Sequence, residues 1–454
     1  MTEHDTIIIG TGQAGPSLAR RLAKDGQRVA IIERGRFGGT CVNTGCTPTK
    51  ALVASAYAAH LVRRAGDYGV TIRGTAMIDM ARVKARKDAI VAASRDGLEA
   101  SLRQTKGLTV IHGHGRFVSA NEVAANGETL RASRVFINVG GRPTSPPIAG
   151  LDTVPHLTSS TIMDLDTVPE HMVVIGGSYV GLEFAQIYRR FGSAVTVIEA
   201  GPRLIGREDP DISDAVREIL EAEGIEVRLD TKTVSVTAGI HVSIENAAGP
   251  GTIVASHLLI ATGRRPNTDD LGLETTGVAV NSHGYIQVDD ALRTSTPGIW
   301  AIGECNGRGA FTHTAYNDFE IVADTLLDGG SRRVTDRINA YALFIDPPLG
   351  RVGMNEREAV AAGHKVLVGS LKMANVSRAI EKGETAGLMK IIVADDTKEI
   401  LGAAILGVGG DEVVHSILDL MYAKAPYPIL QRVVRIHPTV SEFIPVLIGA
   451  LRPV

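Results

Sequence analysis

Cysteine is scarce: there are three in 454 residues, and two of them fall together in GGTCVNTGCTPTKA, residues 38–51. So few thiols exclude a disulfide-stapled secreted scaffold. Aromatics make up only 4% of the chain, and charge is nearly balanced, with 47 Lys and Arg against 50 Asp and Glu. A basic face for nucleic acid is therefore not expected. Nor is a membrane span, because no uninterrupted apolar segment of about 18 residues occurs. The opening Met1-Thr-Glu-His-Asp is acidic and the apolar run behind it stops at Gly10, which is not the pattern of a signal peptide. These absences leave the cytoplasm as the expected compartment, and there a close cysteine pair is more often catalytic or metal-binding than structural.

What the chain has in excess is glycine, 50 residues, well above the roughly 7% average, which calls for glycine-dependent turns. The segment DTIIIGTGQAGPSLARRLAKDGQRVAIIE reads as strand, turn, helix, strand. Gly10, Gly12 and Gly15 form G-x-G-x-x-G after the apolar run Thr6 to Ile9, a helical pattern runs from Ala14 to Lys24, and the strand Arg28 to Ile32 ends at Glu33. Glycines there let backbone approach a pyrophosphate at a helix N-terminus, and Glu33 is placed to accept from an adenosine ribose. A glycine turn before any helix would match the three glycines alone; the flanking strands and the acid make the pattern specific. The arrangement returns in HMVVIGGSYVGLEFAQIYRRFGSAVTVIE, where Gly176, Ser178 and Gly181 take the turn positions and Glu199 ends the strand. Gly10 to Glu33 and Gly176 to Glu199 are both 23 residues apart, so two dinucleotides are expected to bind. Ser178 adds a side chain beside the phosphates, a loosening rather than a loss of that site.

RVFINVGGRPTSPP (134–147) and HLLIATGRRPNT (257–268) are each a strand ending in a glycine-arginine-proline turn, and Ile299 to Ile302 is a further strand ending at Gly303-Glu304. Beyond about residue 338 the pattern changes to strands such as YALFID, LMKIIVA and ILGAAIL, with a helix near Glu412 to Lys424. The expected architecture is α/β, with two Rossmann-like dinucleotide-binding domains and a C-terminal α+β domain. The boundaries are placed at 1–150, 151–266, a return segment 267–338, and 339–454.

A C-x4-C pair suits a metal half-site, a structural disulfide or a redox couple. Zinc needs about four ligands, and no second pair at short spacing is present, so no metal site is expected. A structural bridge across so short a loop is poor value in a reducing compartment. The redox reading has positive support. Thr47-Pro48 after Cys46 marks a helix start, where a thiolate is stabilised, and Lys50 adds a positive charge one turn on.

GGTCVNTGCTPTK, the glycine turns and HPTVSE at 437–442 resemble the class I pyridine nucleotide-disulfide oxidoreductases, the family of glutathione reductase, dihydrolipoamide dehydrogenase and mercuric reductase. REDPDI, FTHTAYNDF and PPLGRVGM bring the likeness nearest to the mercuric-reductase-like branch that includes the reactive-chlorine-resistance flavoprotein. The resemblance covers essentially the whole chain. It implies that NADH or NADPH in the second unit reduces an FAD in the first, which reduces a Cys41-Cys46 disulfide. Cys46 would be the thiolate facing the flavin, and Cys41 the thiol that attacks substrate. Lys50 would pair with Glu183 near the flavin, and Tyr179 would gate it. His437, oriented by Glu442, would be the acid-base catalyst of the other subunit of a homodimer, its site completed across the dimer by the C-terminal domain. Flavin contacts are implied at Gly39, Thr40, Gly115, Gly140, Gly303, Glu304 and Thr312, and a nicotinamide-dinucleotide contact at Gly263. Each role has a plainer competitor: His437 as one of 13 histidines, Glu183 as a solvated helix charge, Tyr179 as helix filler. Cys305 reads as a small buried residue, Glu304 is one methylene longer than the usual Asp, and His313 has no assigned role.

Glu199 favours NADH, since a carboxylate accepts from a ribose 2'-hydroxyl and repels a 2'-phosphate, although Arg203 four residues on could soften this. The substrate stays open. Where glutathione reductases use two arginines, this chain has Arg20 and Glu320, which disfavours glutathione. The tail ALRPV carries no cysteine pair and the chain begins with the flavin unit, so efficient mercury handling is not expected. The leading expectation is reduction of a small disulfide. Reduction of Hg(II), Cu(II) or an oxidant, and dihydrolipoamide dehydrogenase activity, stand as alternatives. A flavin redox sensor is the non-enzymatic one, and it has no need of an acid-base histidine.

Overall fold

The computed structural model describes residues 2–454, and Met1 lies outside the described residues. Strands Thr6–Ile9 and Val29–Glu33 flank helix Gly15–Lys24, close to the expected bounds, with Ala14 serving as the helix cap. A five-stranded parallel sheet runs in the order Ile299–Ala301, Arg134–Ile137, Thr6–Ile9, Val29–Glu33, Leu108–His112. Its central strands are apolar on both faces because both are covered. Ile8, Ile31 and Phe136 pack against Leu18, Leu22, Ile321 and Val322 of two helices. Ile7, Ile9 and Ile32 pack against Phe117, Val123 and Leu130 of a small antiparallel sheet. The edge strand Ile299–Ala301 comes from far along the chain, so this unit is closed only after the second has been made.

The second unit repeats the plan with Leu157–Thr158, His257–Ile260, His171–Ile175, Ala194–Ile198 and Glu226–Arg228, all parallel. Again the faces alternate, Met172 and Val174 to one core and Val173 and Ile175 to another. The third unit is a six-stranded antiparallel sheet ordered Ala340–Leu343, Leu349–Gly353, Ile400–Leu406, Leu388–Ala394, Val366–Lys372, Arg452–Pro453. The helix expected near Glu412 to Lys424 is two pieces, Gly410–Val413 and His415–Tyr422. One continuous core joins Leu52 and Ala56 of helix Cys46–Arg63, Leu182 and Phe184 of helix Tyr179–Phe191, and Leu343, Ile345 and Leu406 of the third unit. Close packing of that core fixes all three units around one cavity. No helix among the described residues is long and apolar enough to cross a membrane.

The internal repeat is a repeat of backbone geometry. Gly10 has φ +102°, and a Cβ on it would sit 2.4 Å from the Asn138 carbonyl oxygen; at Gly176, φ +112°, the corresponding oxygen is that of Ala261 at 2.5 Å. The middle position differs for a reason found on the neighbouring strand. In the first unit Asn138 accepts from the Gly15 amide at 2.9 Å and donates to the Ile302 carbonyl at 2.9 Å. A Cβ on Gly12 would meet that side-chain oxygen at 2.9 Å. The second unit has Ala261 at the matching place, whose methyl group stops short of where the Asn138 amide reaches, and Ser178 is tolerated.

Candidate functional site

Cys41 lies on the short helix Gly39–Asn43 and Cys46 opens the helix Cys46–Arg63. The chain passes between them at Gly45, where a Cβ would fall 2.9 Å from the Thr40 carbonyl oxygen. Glycine therefore allows the second helix to start against the turn that carries Cys41. Both thiols are free, and both line a cavity of about 880 Å³. The Thr312 hydroxyl, at the start of helix Thr312–Leu327, lies 3.3 Å from Cys46 Sγ. Cys46 titrates well below an ordinary thiol, at about 6: a hydrogen bond from Cys41 does most, burial opposes it, and Thr312 and the Lys50 charge add to it. Cys41 is pushed the other way, by that same hydrogen bond to Cys46, by burial and by the neighbouring negative charge. The two shifts run in opposite directions, so the surroundings favour the thiolate on Cys46 and the thiol on Cys41.

Lys50 and Glu183 meet across two units, Nζ lying 2.9 and 3.1 Å from the carboxylate oxygens. Glu183 also accepts from the Phe344 amide at 3.0 Å, and Lys50 Nζ stands 4.3 Å over the Phe344 ring. The carboxylate is buried and fully engaged, so the ammonium is held at the cavity wall beside Cys46 instead of turning to solvent.

Of the residues singled out from sequence, Gly10, Gly12, Glu33, Gly39, Thr40 and Gly115 line the cavity, as do Gly140, Tyr179, Gly303, Glu304 and Thr312. Gly140 has φ +61° and nothing within 4 Å of a Cβ, so a side chain there would project into free space. Gly15 is packed behind the wall, where a Cβ would meet Gly10 O at 2.6 Å. Gly176, Ser178, Gly181, Glu199 and Gly263 form the corresponding turn of the second unit, away from this wall.

The two acids that end their strands behave alike. Glu33 accepts from the amides of Thr11 at 2.9 Å and Gly35 at 2.8 Å, and Glu199 from those of Gly177 at 2.7 Å and Gly201 at 2.8 Å. Each carboxylate is oriented by its own turn and keeps acceptor capacity for a ribose hydroxyl. Arg203 turns away, paired with Asp214 and donating to the Pro210 carbonyl. Glu304 spends its extra methylene on a two-pronged ion pair with Arg264, at 2.6 and 2.9 Å, a partner missed from sequence because it arrives from 40 residues away. Asn138 was missed too; its only signal was a polar residue ending a buried strand. Cys305 is fully buried, and burial pushes its thiol up to about 12. His313 stacks on Phe311 and shares a 2.6 Å hydrogen bond with the Ala340 carbonyl, and burial lowers its pKa. Arg20 and Glu320 lie off the cavity wall, bonded to Ser101 and to Asn317 and Arg332.

His437 and Glu442 are brought together, Nδ1 lying 2.9 Å from the carboxylate, but not with the cysteines. The His437 side chain is 72% exposed, on a stretch where Val434 and Ile436 are 97% and 79% exposed. Such apolar exposure around an oriented imidazole is the mark of a face meant to be covered.

The family described as pyridine nucleotide-disulphide oxidoreductase matches residues 4–318, and the dimerisation domain of the same family matches residues 339–447. The probable pyridine nucleotide-disulfide oxidoreductase RclA of Escherichia coli (strain K12) is 36% identical over 453 residues, covering 97% of this chain and 98% of that protein. A mercuric reductase of Streptomyces lividans is 37% identical over 421 residues, 91% of this chain and 89% of that one. A dihydrolipoyl dehydrogenase of Thermus scotoductus is 33% identical over 449 residues, 97% and 96% of the two chains. The solved HOCl-induced flavoprotein disulfide reductase RclA from Escherichia coli superposes with a TM-score of 0.89 at 35% identity, over 98% of this chain and 99% of that one.

Proposed function

The chain belongs to the pyridine nucleotide-disulphide oxidoreductases, and on that premise we propose that it carries electrons from NADH through FAD to a Cys41-Cys46 disulfide and on to a small disulfide substrate. The observation that carries the reading is the placement of the two thiols on one cavity wall, Cys46 at a helix start with the Thr312 hydroxyl at 3.3 Å and the Lys50 ammonium held at the same wall by Glu183, and Cys41 on the preceding short helix. The residues suit a flavin dinucleotide: the glycines on the cavity wall leave backbone bare where a side chain would fill the space, and the volume is of the size such ligands need. A bound flavin supplies the redox centre that takes hydride from the nicotinamide and delivers an electron pair to the disulfide.

The chain's own groups then account for the rest. Two electrons and one proton open the S–S bond, leaving the negative charge on Cys46, where Thr312 and Lys50 stabilise it, and the proton on Cys41. Because Cys41 stays a thiol, it needs a base before it can attack a substrate sulfur. His437, oriented by Glu442, supplies that base from a second copy of the chain, consistent with its exposure here and with the dimerisation domain. Attack by Cys41 breaks the substrate S–S bond and gives a mixed disulfide, the first leaving thiolate taking the proton back from His437; Cys46 then attacks Cys41, restoring the protein disulfide and releasing the second thiolate to be protonated from solvent. Glu199 with Arg203 turned away supports NADH over NADPH.

A second reading, reduction of a soft metal ion held between the two thiols, is supported by the likeness to a mercuric reductase. No group of three metal-ligating side chains exists among the described residues, so the metal would be a substrate rather than a resident ion. The test has two parts. Anaerobic titration of the flavin-loaded dimer with NADH should produce a long-wavelength thiolate-to-flavin band that is absent in Cys46→Ser; simple bleaching of the flavin overturns the dithiol route. Comparing kcat/KM for lipoamide, glutathione disulfide, other disulfides, Hg(II) and Cu(II) then decides between the two readings.

A further inference from the structure

Behind Tyr179 lies a buried polar cluster that the electron route does not use. Glu208, in the loop before helix Pro210–Ala222, has a side chain with no solvent exposure. One carboxylate oxygen accepts from the Tyr341 hydroxyl at 2.6 Å and from the Tyr179 hydroxyl at 3.2 Å. The other oxygen has no hydrogen-bond partner, and its nearest cation is Arg351, with Nε at 3.7 Å. Arg351 is itself 2% exposed, lines the cavity, and has neither Nη1 nor Nη2 hydrogen-bonded among the described residues. Tyr341 and Arg351 are cross-strand partners, and the Tyr341 ring meets the Tyr179 ring edge-on at 5.4 Å.

An arginine with a carboxylate for a neighbour normally takes it in two parallel bonds. Here the pair stops short while three of its polar atoms lie buried and unpaired, an arrangement that costs free energy unless another state completes it. Two hydroxyls hold Glu208 by its other oxygen, Tyr341 at 2.6 Å and, more loosely, Tyr179 at 3.2 Å, and of the two only Tyr179 belongs to the gate. We propose that Glu208 and Arg351 are the latch of the Tyr179 gate: with the gate shut Glu208 holds the Tyr179 hydroxyl, and when the ring swings aside Glu208 turns to Arg351 and completes the ion pair. The two positions exchange one hydrogen bond for another inside the protein, so the gate has two states of similar energy and a nicotinamide ring can select the open one. Glu208 and Arg351 act through Tyr179 and are positioning residues.

This inference rests on the reading of Tyr179 as the gate between nicotinamide and flavin. The test is anaerobic stopped-flow reduction of the flavin-loaded dimer by NADH, read as an apparent Kd and a saturating rate. Tyr179→Phe keeps the ring and removes the latch bond; its apparent Kd should fall about threefold, because a larger fraction of gates stands open. Arg351→Met removes the open-state partner and should raise the apparent Kd about tenfold, Arg351→Lys recovering part of it. In the double variant Tyr179→Phe/Arg351→Met most of that rise should vanish, since an unlatched gate needs no receiver. Should Arg351→Met fail to yield a flavin-loaded dimer, Glu208→Gln removes the same charge pair with the same shape, and its effect should likewise be suppressed by Tyr179→Phe. Effects that simply add, or a Tyr179→Phe apparent Kd equal to that of the parent, overturn the latch. If neither NADH nor NADPH reduces the flavin of the parent protein, it is the electron route that fails, a result distinct from additivity in a protein that is reduced normally.

Discussion

Replacing Cys41 by alanine should move the titration of Cys46 more than any change to a charged neighbour. The neighbouring Cys41 thiol, as a donor to the thiolate, is the largest of the influences that bring Cys46 down to about 6, ahead of Thr312 and Lys50. A hydrogen bond to a charged acceptor is worth about 1.5–3 kcal/mol, which at about 1.4 kcal/mol per pH unit is roughly one to two units. Cys46 of Cys41→Ala should therefore titrate higher than in the parent, by on the order of one to two units. The sign follows from the acid: losing a donor to the thiolate favours the protonated form, so the thiolate appears only at higher pH. With no partner sulfur, Cys46 of this variant stays reduced beside an oxidised flavin, and its long-wavelength band can be followed directly against pH. Cys41→Ser keeps a donor and should titrate close to the two-electron-reduced parent. If the alanine and serine variants titrate together near 6, the Cys41 bond is not the cause, and the helix start with Lys50 and Thr312 sets the value alone.

Other outcomes follow from the same geometry. Glu199→Ala should narrow the preference for NADH over NADPH, since Arg203 is held by Asp214 in either case; an unchanged ratio of kcat/KM removes the carboxylate from the selection. Mixing inactive Cys46→Ser and His437→Gln dimers under conditions of subunit exchange should restore about a quarter of the parent activity, because a two-fold dimer of mixed subunits carries one intact site. No recovery on mixing would mean that each chain completes its own site. Gly10→Ala places a Cβ 2.4 Å from the Asn138 carbonyl oxygen at φ +102°, and should lower the thermal stability by about 2 kcal/mol or more and reduce the flavin retained through purification.

Much of the site was legible because its parts are local. The helix start at Cys46 is written in Thr47-Pro48, and the two glycine turns in three positions each, whereas the need for Gly45 before that helix shows only in the fold. These depend on backbone sterics and capping within a few residues, which residue types alone dictate. Ser178 was read as a loosened turn, and only the fold showed that it fits because Ala261 replaces the Asn138 of the other unit. Glu304 reads as a flavin contact one methylene longer than the usual Asp, and only the fold supplies Arg264 as its partner.

What tertiary structure decided is every contact between residues far apart in the chain. Lys50 and Glu183 are 133 positions apart, Cys46 and Thr312 are 266, and Tyr341 and Glu208 are 133. No local pattern encodes such pairs, because their existence depends on how three separately wound sheets dock through one shared core. The same holds for the His437 face, whose distance from the cysteines of its own chain follows from the placement of the third unit. The sequence by itself determined the family's chemistry and put Lys50 one turn from Cys46; docking of the units determined that Glu183 holds that lysine, that Glu208 meets Tyr179 and Tyr341, and that His437 looks outward.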